Sequence, residues 1–167
     1  MTSSTKLGLT LAATFLATAA FAQLDTAPTA KLQFDKAPIQ AGKPFTATLI
    51  VTFAEGLHGY QNPPSNPDLI PVEVKTGDKT FTVVKVAYPK GTPMPMPGEP
   101  KPLAVYSGTV KIPVTLKAPT KLGKTSLKLV FAYQQCNDKA CFPPSKVNVE
   151  ASVNVAKATK ATGKASH

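Results

Sequence analysis

Cys136 and Cys141 are the residues of this sequence whose type and spacing point most directly to covalent chemistry. They stand in the run Tyr133-Gln-Gln-Cys136-Asn-Asp-Lys-Ala-Cys141-Phe142-Pro143-Pro144. Thiol–disulfide exchange needs two sulfurs able to bridge, with Cα atoms within about 7 Å, and a tight connection between strand ends brings them that close. One sulfur must also be reachable by a partner's sulfur, because exchange passes through a mixed disulfide. A bridge across four intervening residues closes a very small loop and adds little by chain entropy. A domain of this length folds without a staple. Both points weaken a purely structural bridge, which stays open beside exchange and metal binding. Lys139 between the thiols favours a thiolate and Asp138 opposes it.

A second segment with ligand chemistry is Thr92-Pro-Met94-Pro-Met96-Pro. Methionine thioethers are soft Cu(I) ligands, and Cys136, Cys141 and His58 would complete such a site. Methionine is equally an adaptable apolar cover. No zinc spacing, carboxylate pair, Ser/His/Asp set or glycine-rich phosphate loop is present, and of the two histidines His167 is terminal. Hydrolase and nucleotide-binding chemistry therefore have no basis, and no bound cofactor or resident metal is expected.

Composition limits the setting. The net charge is +10, and every basic residue is lysine. Nucleic-acid readers rely on arginine forks, so no nucleic-acid partner is expected, and the lysines read as a solvated basic surface. Residues 1–22 read as a signal peptide: one charge up to Lys6, an uncharged run from Leu7, and Ala20-Phe21-Ala22 as a cleavage pattern. Gly8, Thr10, Thr14 and Thr18 dilute that run relative to a membrane anchor. The mature chain is then an exported, periplasmic protein, with a domain over 23–155 and a disordered Lys-rich tail over 156–167. Export places both cysteines where disulfides persist.

The elements that must position these groups read as strands. Phe45, Ala47, Leu49, Val51 and Phe53 alternate with polar residues or Ile50, a period of two. The same period recurs over Val110–Leu116, Leu127–Tyr133 and Val147–Val155. Leu32–Phe34 is a candidate first strand, Leu69–Val74 an edge strand or strand start because of Pro71, and Phe81–Tyr88 a strand buried on both faces. Between Pro89 and Pro102 six of fourteen residues are proline, which predicts a long, stiff, irregular loop. Seven or eight short strands without helical periodicity predict an all-β, immunoglobulin-like antiparallel β-sandwich of two sheets.

The Tyr-Gln-x-Cys…Cys-aromatic-Pro-Pro pattern resembles the N-terminal periplasmic domain of the DsbD-type thiol:disulfide interchange proteins. Gly56-Leu-His58-Gly-Tyr60-Gln-Asn-Pro-Pro, Leu69-Ile70-Pro71, Tyr88-Pro89-x-Gly91 and Val105-Tyr106-Ser-Gly108 follow in the family's order, and the match covers about residues 45–155. The resemblance implies an oxidoreductase of the protein-disulfide reductase type, which passes reducing equivalents to oxidised partners. Those partners would be thioredoxin-like or disulfide-isomerase proteins, with a membrane-embedded disulfide reductase as electron donor. Cys141 would form the mixed disulfides and Cys136 resolve them. His58, Tyr60, Tyr106 and Phe142 would shape the rim, and the Pro-rich loop with Met94 and Met96, up to Val105 and Tyr106, would be the cap. Two departures stand out: four residues separate the cysteines where the best-known members have five, and Leu103, Ala104 and Val105 occupy the cap tip in place of acidic residues and phenylalanine.

Overall fold

A computed structural model describes residues 27–35 and 37–158. The segment read as a signal peptide, 1–22, and most of the segment read as a tail, 156–167, lie outside the described residues. Twelve strands and no helix make up the described chain: β1 (Thr29–Phe34), β2 (Ile39–Gln40), β3 (Pro44–Thr52), β4 (His58–Tyr60), β5 (Glu73–Thr76), β6 (Thr82–Val86), β7 (Thr92–Met94), β8 (Leu103–Ser107), β9 (Thr109–Lys117), β10 (Gly123–Tyr133), β11 (Gln135–Cys136) and β12 (Ser145–Ala156). They form a first sheet β1-β3-β9-β6, a second sheet β2-β12-β10-β5 and a small third sheet β11-β4-β8-β7. Every pairing is antiparallel except the short parallel contact of β2 with β12.

The first two sheets make an immunoglobulin-like β-sandwich, and the alternation in the sequence explains why. Ala47, Leu49 and Val51 of β3 and Ile112, Val114 and Leu116 of β9 are fully buried. Opposite them, Leu127, Leu129 and Phe131 of β10 close the core. Phe53 meets Phe131 edge to ring at 6.3 Å, and Phe131 stacks on Tyr133 at 5.6 Å. These are the offset arrangements the ring quadrupole favours.

The third sheet is built from continuations of sandwich strands past one end of the sandwich. β3 leads through a turn, with the Leu57 N–H donating to the Ala54 carbonyl, into β4. β10 leads through Gln134 into β11, and β8 leads through Gly108, at φ 56°, into β9. The site described below therefore sits on extensions of three long central strands of the sandwich, β3, β9 and β10.

Three expectations need correction. Phe81–Tyr88 is not buried on both faces. β6 is the outer strand of the first sheet, with a bulge between Val83 and Lys85 that turns Val84 out to 60% exposure. An edge strand has only one covered face, and a bulge re-aims its side chains. The Pro89–Pro102 segment is not wholly irregular, since Thr92–Met94 pairs with β8 as the outer strand of the third sheet. Proline is tolerated there because the Ala104 amide and carbonyl opposite Pro93 bond away from β7, to Ser65 Oγ and the Gln61 amide. Finally, Leu103, Ala104 and Val105 are not part of an irregular loop but of β8, a strand inside that sheet.

Candidate functional site

The two cysteines lie in a tight hairpin at the open end of the third sheet. The Asn137 side chain shapes it: its Oδ1 accepts from the Lys139 and Ala140 amides at 2.9 and 2.8 Å, the local bonding that suits Asn to turns. The Asn137 amide then donates to Ala140, and the Phe142 amide to Gln135. This closure places the Cα atoms of Cys136 and Cys141 4.0 Å apart, joined by a disulfide.

The two sulfurs sit in different surroundings. Cys136 is fully buried, whereas Cys141 and Phe142 are exposed. Cys136 packs with Tyr60, Leu103 and Val105, and Leu69, Met94 and Met96 close over that cluster. Alternation accounts for the arrangement: Tyr60 and Val105 are ladder partners, as are Val105 and Thr92, so their side chains line one face. The Pro-rich segment is fastened from below. The Gly91 amide donates to Gln61 Oε1 at 2.6 Å, the Asn66 amide group donates to the Glu99 carboxylate at 3.3 Å, and the Ala104 amide donates to Ser65 Oγ.

Tyr60 is 3% exposed and its hydroxyl donates to the Cys141 sulfur at 3.6 Å; a disulfide sulfur has no hydrogen to give. Burial first, and the nearby Glu99 carboxylate second, push its phenol above its ordinary value of 10.0, so it stays a donor throughout the neutral range. His58 meets the Tyr60 ring edge to face at 5.8 Å. It is also 3% exposed, so it lies beneath the rim and not on it. Burial holds its imidazole below the ordinary 6.5.

Tyr106 stands apart from the cysteines. It follows Val105 by one residue and so points to the opposite face, into the main core. Its hydroxyl donates to the Pro89 carbonyl, and burial raises its phenol to about 12. It braces the base of the Pro-rich segment. Leu69, Leu103 and Val105 enter the cover of Cys136 although their side chains carry no reactive group; the sequence signal for them was their place in the family's order of motifs. Among the described residues, no group of three or more His, Cys, Asp or Glu side chains could hold a metal ion, so the copper reading gains no ligand set of that kind.

One expected result follows from Tyr60. A hydroxyl donates more strongly to a thiolate than to a thiol, so in the reduced protein it favours the ionised form of Cys141. Tyr60→Phe should slow alkylation of Cys141 at pH 7 by roughly tenfold, the scale of a hydrogen bond to a charged group. Equal rates, read by mass spectrometry of the reduced proteins, would show that the hydroxyl leaves that sulfur unassisted.

A β-sandwich carrying a bridged cysteine pair on a hairpin at its end, one sulfur enclosed and one open, has the layout that thiol–disulfide exchange requires. The family described as thiol:disulfide interchange protein DsbD, N-terminal, matches residues 25–152, and this chain belongs to that family. Among solved structures, the reduced N-terminal domain of DsbD from Neisseria meningitidis aligns at 19% identity with a TM-score of 0.48, covering 68% of this chain and 82% of that one. The N-terminal periplasmic domain of ScsB from Proteus mirabilis aligns at 17% identity with a TM-score of 0.50, covering 74% of this chain. This chain spans 43% of that one, and the likeness is one of fold. No curated protein matches the chain by sequence.

Proposed function

We propose that residues 23–155 form a periplasmic protein-disulfide reductase domain, exported by a signal peptide over 1–22. It passes reducing equivalents to oxidised partner proteins through the Cys136/Cys141 pair. The observation that carries this reading is the asymmetry of the two sulfurs within one disulfide: Cys141 exposed, Cys136 fully buried. In the reduced protein the Cys141 thiolate attacks a partner disulfide and forms a mixed disulfide, releasing one partner thiol. Cys136 then attacks Cys141, the intermolecular bond breaks, and the second partner sulfur leaves. The partner has gained two electrons, and this domain has become the disulfide. Met94 and Met96 act as the cap that keeps small oxidants from Cys136, and Phe142, 42% exposed, offers an apolar contact beside the reactive sulfur. The partners are thioredoxin-like or disulfide-isomerase proteins, and a membrane-embedded disulfide reductase restores the dithiol.

Membership of an interchange family supports the chemistry; the partners and the direction of flow are tested directly. Mixed with an oxidised thioredoxin-like protein, the reduced domain should transfer its two electrons stoichiometrically, followed by thiol alkylation. Its potential against a glutathione buffer should lie above about −300 mV, the region of exchangeable disulfides. A more reducing pair that transfers nothing would mark the bridge as structural.

A further inference from the structure

The imidazole of His58 has no part in the exchange steps above, yet three observations converge on it. His58 of β4 lies directly opposite Cys136 of β11 in the antiparallel ladder. Directly opposed residues share a face, with Cβ atoms about 5 Å apart. His58 is almost fully buried and its Nε2 has no hydrogen-bond partner, and buried polar atoms are rarely left so. On its other side it touches the Tyr60 ring, whose hydroxyl reaches the Cys141 sulfur. The unpartnered nitrogen thus belongs to a side chain on the same face as Cys136, whose sulfur has no hydrogen while oxidised and acquires an S–H donor when reduced.

We propose that His58 Nε2 is the proton acceptor for Cys136: it takes the S–H hydrogen bond in the dithiol and the proton itself when Cys136 attacks the mixed disulfide. This rests on the interchange reading above. In that step the Cys136 sulfur gives its proton to Nε2 and its electron pair to the new Cys136–Cys141 bond. The bond between Cys141 and the partner sulfur breaks, and that sulfur departs with the pair as a thiolate. The partner thiolate takes a proton from solvent, and the imidazolium returns one to it, so protons and electrons balance.

Among the described residues no charged side chain shifts His58. Tyr60 on its own strand and the two cysteines are the titratable groups on its face. Val105 and Ser107 of β8 and the covering Met94 and Met96 bring none. Tyr106 and Tyr133 belong to the main core, and Glu99 acts on Tyr60 but not on His58, whose shift comes from burial alone. Burial favours the neutral ring, so the acceptor form prevails above pH 6.5 and is lost as acid protonates it.

The test compares the full chain with His58→Phe, which keeps a ring and removes the acceptor, and His58→Gln, which restores an acceptor that takes no proton near neutrality. Glutathione is the probe. His58→Phe should shift the dithiol–disulfide equilibrium toward the disulfide by about tenfold, equivalent to about 30 mV for two electrons. It should also slow release of glutathione from the mixed disulfide by roughly tenfold to a hundredfold at pH 7. The gap should close at alkaline pH, where the thiol ionises unaided. His58→Gln should recover the equilibrium but not the rate. If folded variants match the parent in both readings while only thermal stability changes, His58 is packing and the proposal falls. If the parent chain forms no mixed disulfide with glutathione, the interchange reading itself fails and takes this proposal with it.

Discussion

Cys136→Ala should accumulate stable mixed disulfides with an oxidised thioredoxin-like protein, and Cys141→Ala should not. In the first variant the exposed Cys141 sulfur still meets a partner sulfur, but nothing remains to break the resulting bond. In the second, the remaining thiol is fully buried beneath Leu103, Val105, Met94 and Met96, and no partner sulfur reaches it in line. Because exchange requires direct sulfur–sulfur approach, the difference on non-reducing electrophoresis should exceed about tenfold, and neither variant should turn over. Equal trapping by both would refute the assigned division of roles. No trapping by either, with both folded, would favour a structural bridge.

Gly59→Val should unseat the site from the sandwich. Gly59 lies between His58 and Tyr60 and faces the other way, toward the core. A Cβ there would stand 2.9 Å from the Phe53 ring and 3.1 Å from Val72. Phe53 is itself fixed, edge to face, against Phe131, so it has little room to yield. Overpacking of this kind costs about 1–3 kcal/mol, or on the order of 5–10 °C in Tm. The relaxation open to the chain is to lift β4, which carries His58 and Tyr60 away from the cysteines. We therefore expect faster alkylation of reduced Cys136 together with the lower Tm. An unchanged Tm would mean that the core accommodates the side chain and that β4 is seated by other contacts.

How much of this was legible in the sequence depends on strand length. β3, β9, β10 and β12 each run for nine residues or more, long enough for a period of two to stand clear of noise, and all four were readable. The cysteine hairpin was readable from its residue types. The third sheet was not. Its strands have two to five residues, and His58-Gly59-Tyr60 is buried at every position, so it shows no alternation at all. Its seating depends on residues farther along the chain, such as Val72 and Val105, which no local pattern reveals. The face of Tyr106 was lost for the same reason: without knowing that residues 103–107 are a strand, nothing separates it from Val105. Val84 misled in the opposite way, because β-branched residues signal a strand but not whether that strand is an edge.

The course of β12 has a consequence for how the molecule can be held. The strand begins at Ser145, just past the cysteine hairpin, and runs twelve residues without interruption to Ala156. At about 3.3 Å per residue, the chain leaves the sheet some 35–40 Å from where it entered. The opposite holds at the start: Thr29 pairs with Thr52, six residues before His58, on the side of the sulfurs. A tether, bead or fused domain attached beyond Ala156 would therefore pull from the far pole and present Cys141 outward like the tip of a probe. The same attachment ahead of Thr29 would stand in the doorway. Immobilised by its C-terminal end, the domain should exchange with soluble partners as freely as it does in solution.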